Sequence, residues 1–188
     1  WYVPAGPSRR TLAAIDLPDG KPEIVAEIPP SVPGRLLDVT CDGRTVILDD
    51  SHFDGEQYPI PTTKDVEFFW RYIGRPRQGR LWAYHLDTGR HHCLAGSDRY
   101  CLNHGDTSPT DPGLLKYAPD TYEAHGQRMW TVHTDGSPPR PIRVQAPLEL
   151  ITHEFWWPGG EWIGYTYQDR RGDSTIHELP WCEYSPAA

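Results

Sequence analysis

The segment Thr152-His153-Glu154-Phe155-Trp156 holds the strongest candidate for chemistry in this sequence. His153 comes just before an aromatic strand, at the start of one copy of a recurring sequence unit. If these units surround a central channel, His153 would lie near an inner strand that faces this channel. Histidine titrates near neutral pH, so it is well suited to act as a general base. The same position also fits a histidine that only caps its strand through a backbone hydrogen bond, and position alone leaves both interpretations open.

Arg128 is the second candidate, at the start of Arg128-Met129-Trp130. A guanidinium stays charged at all physiological pH values and binds carboxylates through two parallel hydrogen bonds. Arg10 and Arg80 take the same place in their own repeats. This recurrence favours a solvated arginine at a strand edge, so the type of residue alone does not assign it a function.

Two further residues are candidates for substrate binding. His104 opens a repeat as His153 does, which predicts that it also lines the channel. Arg171 lies within Asp169-Arg170-Arg171-Gly172-Asp173, a basic turn that would hold a carboxylate or simply face solvent. The sequence contains no helical His-x-x-x-His pair, no phosphate-binding loop and no nucleophile elbow.

The elements that must position these residues are short strands in two kinds of hairpin. One kind has a strand, an Asp-Gly or Thr-Gly turn and a second strand, at residues 10–25, 80–94 and 128–142. Its period-2 alternation and its turn residues predict a β-hairpin. Between these copies lies a second kind of hairpin, which recurs at residues 37–48, 107–117 and 154–165.

The two hairpins alternate, which gives four strands per repeat. The later copies are about 48 residues apart, a period typical of a propeller blade. We therefore expect an all-β chain, an incomplete β-propeller domain over residues 1–188 with about three to four blades.

The first interval is longer, about 70 residues, and its excess falls in residues 51–79. This polar stretch contains Pro59, Pro61 and the cluster Phe68-Phe69-Trp70. We expect a long loop insertion on one face of the disc, either functional or covering a strand edge.

Composition narrows the classes of protein. The chain has 20 proline and 17 glycine residues, a density that interrupts helices. Its net charge of −8 argues against nucleic acid or anionic membranes as partners. An acidic substrate stays compatible, because salt screens distant surface charges from a local basic site.

Cysteine use and the start of the chain bear on its location. Cys93 and Cys101 could bridge, although reduced thiols of a cytosolic protein are the simpler interpretation. No stretch approaches the roughly 20 apolar residues of a membrane helix. We expect a cytoplasmic protein, and we leave the periplasm open because the sequence starts at Trp1 rather than at an initiator methionine.

Four segments in this order resemble the oligogalacturonate lyases, a family of seven-bladed propellers in pectin degradation. The segments are 80–89, Ser108-Pro109-Thr110-Asp111-Pro112, Arg128-Met129-Trp130 and Thr152-His153-Glu154-Phe155-Trp156. The last two, at their spacing, are the most specific. The resemblance is strongest over residues 80–168.

The resemblance implies a function and roles for two residues. It implies β-elimination on a small acidic oligosaccharide, an oligogalacturonide, with His153 as the base and Arg128 assisting at the substrate carboxylate. It also implies a divalent metal, manganese in this family, held by residues beyond position 188, so no metal ligand is assigned here. Where the family has Cys-His-Glu-Gly, this sequence has Tyr117-Ala118-Pro119-Asp120 and lacks the histidine.

Two other functions compete with the lyase. One is a non-catalytic propeller, a binding or scaffold module of the kind found with periplasmic transport machinery. The other is a propeller that gates a separate peptidase domain. A lyase requires His153 and Arg128 to converge on one pocket, whereas a scaffold does not.

Overall fold

The computed structural model describes residues 10–18, 20–53, 77–120, 126–169 and 177–184. Every regular element in these ranges is a β-strand, as the alternating pattern predicts. Within the same ranges, no helix is long and apolar enough to cross a membrane.

The described ranges contain fourteen strands, and the bounds of these strands agree with the predicted hairpins. They are β1 Arg10–Ala14, β2 Glu23–Ile28, β3 Arg35–Val39, β4 Thr45–Asp49, β5 His52–Phe53, β6 Arg77–His85, β7 His91–Ser97, β8 Leu102–Thr107, β9 Leu114–Pro119, β10 Trp130–His133, β11 Arg140–Pro141, β12 Glu149–Trp156, β13 Ile163–Asp169 and β14 His177–Tyr184.

These strands form successive antiparallel sheets in chain order. β1 and β2 pair with each other, and the next sheet, here the first blade, has the order β3-β4-β6-β7. The second blade has the order β8-β9-β10-β11, and the third contains β12, β13 and β14. Within a blade, each strand pairs with the next one in the chain, except that β4 pairs with β6 past the short β5, and this meander is typical of the blades of a β-propeller.

The hydrophobic core is divided among the contacts between neighbouring sheets. One cluster joins the β1–β2 hairpin to the first blade, a second joins the first and second blades, and a third joins the second and third. β4 shows how the sequence produces this division. Val46 and Leu48 face one cluster while Ile47 faces the other, because successive side chains leave a strand on opposite sides.

The first strands of successive blades contact one another. Asp38 of β3 accepts hydrogen bonds from the backbone N–H of Thr107 at 2.7 Å and from its hydroxyl at 2.8 Å. The indole N–H of Trp156 in β12 donates to the carbonyl oxygen of Asp106 in β8 at 2.9 Å. β3, β8 and β12 are therefore the converging, innermost strands of the partial propeller.

The two ends of the expected insertion at 51–79 are paired with each other. β5 pairs with the beginning of β6, His52 opposite Gln78 and Phe53 opposite Arg77. Asp50 and Arg80 also exchange two backbone hydrogen bonds, at 2.9 and 3.1 Å. Both ends of the insertion thus extend the first blade, and residues 54–76 lie outside the described part of the chain.

Of the two alternatives for Cys93, a disulfide with Cys101 or a reduced thiol, the structure has the thiol. Cys93 is not disulfide-bonded, and burial raises the pKa of its thiol above the ordinary value.

Candidate functional site

The two histidines predicted to open their repeats both lie in bulges of innermost strands. In β8 the pairing with β9 shifts between Asn103 and Asp106, and in β12 the pairing with β13 shifts between Thr152 and Phe155. Each bulge places a histidine and one further residue opposite a single partner residue. His104 and His153 therefore take the same place in successive blades.

Both histidines have left-handed backbone conformations, with φ of 50° at His104 and 56° at His153. Such a conformation is uncommon for a residue with a Cβ and costs free energy, and it persists where the surrounding structure enforces it. Both residues are exposed. Each bulge thus turns an imidazole out of the pleated sheet toward solvent.

The residue after each histidine faces the preceding blade. After His104 comes Gly105, where a Cβ would lie 2.4 Å from a methyl carbon of Leu37 in the first blade. After His153 comes Glu154, which reaches Arg128 of the second blade. Each bulge therefore presents a histidine on one side and makes an inter-blade contact on the other.

The ring of His153 is held at one nitrogen by two hydroxyls. Its Nδ1 lies 3.1 Å from the Thr152 oxygen and 3.4 Å from the Thr166 oxygen. Thr152 and Thr166 are directly opposite each other across β12 and β13. When Nδ1 bears the proton and donates to a hydroxyl, Nε2 keeps its lone pair and is able to accept a proton.

Arg128 forms a buried ion pair with Glu154. Its Nε lies 2.5 Å from one carboxylate oxygen and its Nη2 lies 3.4 Å from the other. The two side chains are 9% and 4% exposed, and Nη1 donates to the carbonyl oxygen of Pro119 at 3.4 Å. Arg128 is thus not the solvated edge residue that its repeat position favoured.

The neighbours of Arg128 in sequence explain its location. Met129 is buried in the cluster between the second and third blades. Trp130 packs against the cluster between the first and second blades, and its ring stacks on Tyr117. The side chains of Met129 and Trp130 lie in different clusters, and together they fix the backbone that carries Arg128 just before β10.

A pair of glutamine side chains also fixes this segment. Gln127 donates to the carbonyl oxygens of Met129 and Arg143 at 3.0 and 2.7 Å. Gln145 accepts from the backbone N–H of Arg128 at 3.2 Å. These bonds set the backbone of the Arg-Met-Trp segment independently of the ion pair.

His104 faces a carboxylate that the sequence analysis did not identify as functional. Its Nε2 lies 3.4 Å from Asp120, whose other oxygen accepts from the Asn103 amide at 2.6 Å. The His104 side chain is 51% exposed, and that of Asp120 is 21% exposed. Burial alone would raise the pKa of Asp120, but hydrogen bonds from His104 and Asn103 and the charge of Arg128 outweigh it and lower that pKa.

The three described site residues are therefore joined by two acids. Asp120 contacts His104, and the charge of Arg128 lowers the pKa of Asp120. Arg128 in turn is ion-paired with Glu154, the residue after His153. Glu154 had one sequence signal, its position beside His153, and Asp120 had one, its position directly after a strand. The fourth predicted residue, Arg171, lies outside the described residues.

Asp120 leads to a prediction about acid stability. A carboxyl whose pKa is lower in the folded state stabilises the fold above its unfolded pKa, about 3.9, and this contribution is lost as the pH falls through the folded value. Asn at this position does not titrate. We therefore expect the difference in unfolding free energy between the native protein and Asp120→Asn to shrink from about pH 5 downward, as urea titrations would measure. Parallel curves for the two proteins would contradict this account.

A cavity of about 610 Å³ lies at the opposite end of the second blade. Turn residues line it, among them Asp111, Asp135 and Gly160. None of the three described site residues, His104, Arg128 and His153, lies on its wall, so it is separate from the histidine bulges.

The described residues do not provide a metal site. Within the described ranges, no group of three or more His, Cys, Asp or Glu is placed to hold a metal ion.

Comparison with known proteins gives matches to oligogalacturonate lyases. No family model matches the chain. The oligogalacturonate lyase of Dickeya dadantii (strain 3937) is 31% identical over 87 residues, which are 46% of this chain and 22% of that protein.

Two solved structures share the fold. An oligogalacturonate lyase in complex with manganese superposes with a TM-score of 0.66 at 20% identity, over 96% of this chain and 50% of that one. The oligogalacturonate lyase from Vibrio parahaemolyticus gives 0.68 at 21% identity, over 95% and 47%. The chain spans about half the length of these structures. The chain is thus a partial β-propeller that is similar to oligogalacturonate lyases in fold over nearly all its length and in sequence over the 87 matched residues.

Proposed function

We propose that this chain is part of a lyase that cleaves oligogalacturonides by β-elimination, with His153 as the base. The observation that supports this most directly is the backbone at His153. An exposed imidazole is held at φ 56° in a bulge of an innermost strand, and the next residue, Glu154, is ion-paired with the buried Arg128. A histidine whose backbone holds it in the exposed position suits proton abstraction next to a carboxylate.

In this mechanism Nε2 of His153 accepts the proton from C5 of a galacturonate. The electrons of the C–H bond first move toward the C6 carboxylate, as in an enediolate. They then form the C4–C5 double bond while the C4–O bond breaks, and the leaving sugar takes up a proton. The products are a 4,5-unsaturated uronate and a shortened oligosaccharide.

Arg128 contributes positive charge near the reacting carboxylate. Three of its five N–H groups are engaged, two by Glu154 and one by Pro119. The remaining N–H groups on Nη1 and Nη2 are the ones that a substrate carboxylate would contact. A donor fixed in advance stabilises developing charge without reorganising during the reaction, and this effect is often the largest in catalysis.

We also propose that the lyase uses a divalent metal, manganese, for which the described residues of this chain provide no ligand set. A metal at the substrate carboxylate would supply further stabilisation of the enediolate. The residues of this chain supply the base and the arginine. We also propose a cytoplasmic location.

The direct test uses the full-length protein, purified with manganese present, and a short saturated oligogalacturonide. We expect ultraviolet absorbance of a 4,5-unsaturated uronate to appear in step with chain cleavage. New reducing ends without that absorbance would indicate hydrolysis and contradict β-elimination. Binding without any cleavage would favour the scaffold module instead.

A further inference from the structure

The elimination requires a second proton-transfer group besides the base. When the C4–O bond breaks, the leaving sugar hydroxyl departs as a basic alkoxide unless it receives a proton. A positioned acid typically contributes about 10²–10⁴ in rate to such a step. His153 has just accepted a proton from C5, on the side of the sugar ring that the base approaches, and a separate donor removes the need to carry that proton to O4.

The bulge in the second blade repeats the bulge that holds His153. His104 has the same left-handed backbone, at φ 50°, and is likewise exposed. The Trp156–Asp106 hydrogen bond fixes β12 against β8 three residues after His153 and two residues after His104. The two bulges therefore lie at nearly the same level of two contacting innermost strands.

The surroundings of the two histidines differ in charge. The ring of His153 contacts neutral threonine hydroxyls, whereas Nε2 of His104 faces the Asp120 carboxylate at 3.4 Å. Although burial acts in the opposite direction, the pKa of Asp120 is lowered by hydrogen bonds from His104 and Asn103 and, to a smaller extent, by the charge of Arg128. An ionised carboxylate at this distance balances the charge of an imidazolium and fixes its orientation.

We propose that His104 is the general acid of the reaction, donating a proton from Nδ1 to the leaving O4 oxygen after His153 has removed the C5 proton. This inference rests on the lyase function proposed above. Asp120 and Asn103 are positioning residues, since they act through His104. The proton balance closes: one proton passes from C5 to His153 and one from His104 to O4, and solvent restores both rings.

The test compares two substrates that differ only in how much their leaving group needs a proton. One is a trigalacturonate, and the other is a galacturonate with a 4-nitrophenyl ether at O4, whose phenolate leaves without protonation. The variant is His104→Asn in the full-length protein, because Asn tolerates a positive φ and should preserve the bulge. His133→Ala, an exposed histidine of the same blade, is the matched control.

For His104→Asn we expect a kcat loss of about 10²–10³ on trigalacturonate and of less than about tenfold on the aryl ether. Asp120→Asn should show a smaller loss with the same dependence on the leaving group. Equal losses on both substrates, or no loss on either, would overturn the role of His104. If the native protein forms unsaturated product from neither substrate, the lyase function itself fails, which is a separate result.

Discussion

Replacing His153 by alanine in the full-length protein is expected to lower kcat for unsaturated product by about 10²–10⁴-fold. The proton on C5 is weakly acidic, so removing the placed base raises the barrier of the step that starts the elimination. The loss should appear equally on trigalacturonate and on the aryl ether, because proton abstraction precedes departure of either leaving group. Product absorbance over time measures both rates.

His153→Asn separates this effect from the backbone. Asn is tolerated at positive φ, so it should keep the bulge and the Arg128–Glu154 pair while removing the base. We expect it to unfold at the same urea concentration as the native protein and to be as inactive as His153→Ala. If either variant keeps most of its activity, the base lies elsewhere and His153 only caps its strand.

Replacing Arg128 by methionine is expected to have the largest effect on stability. It leaves the Glu154 carboxylate buried, at 4% exposure, without its partner. Removal of one member of a buried ion pair typically costs about 3–5 kcal/mol of unfolding free energy. Urea unfolding measures this cost, and we also expect cleavage to become undetectable.

The double variant Arg128→Met with Glu154→Leu distinguishes structure from chemistry. Two apolar side chains of similar size should restore most of the unfolding free energy, because no charge stays buried alone. Cleavage should stay lost, since the positive charge is absent. If the double variant recovers activity with stability, Arg128 is a structural residue only.

Arg128→Lys tests geometry at constant charge. Lysine cannot form the two-point contact with Glu154, so we expect a loss of rate well beyond that of an ordinary charge-conserving change. Unchanged kinetics would show that the fork geometry is dispensable.

Most of the fold could be predicted from sequence because its signals are local. The turn glycines Gly43 and Gly136 have φ of 72° and 86°, which the Asp-Gly pattern predicts. Strand alternation then places residues in the two flanking clusters. Local signals were weaker at residues 50–53 and 77–80. These two segments pair with each other through backbone hydrogen bonds, but their polar sequence does not show the alternation of a strand.

The site was only partly predictable, since its contacts are distant in sequence. Glu154 is 26 residues from Arg128, and Asp120 is 16 residues from His104. No local pattern indicates such pairs. The bulges were also missed: a one-residue change of register depends on the partner strand, and it is the register that turns His104 and His153 outward.

The division of the core among successive sheets has a consequence for how the molecule tolerates change. Because each cluster belongs to two adjacent sheets, a substitution in one cluster damages a local neighbourhood and leaves more remote sheets supported. β5 and β6 pair where their connection begins and ends. A longer connection between them would therefore cost little additional free energy, because the entropy lost on closing a loop grows only slowly with loop length. In such an architecture, the connections between strands can change in length and sequence while the paired strands and their core clusters stay the same.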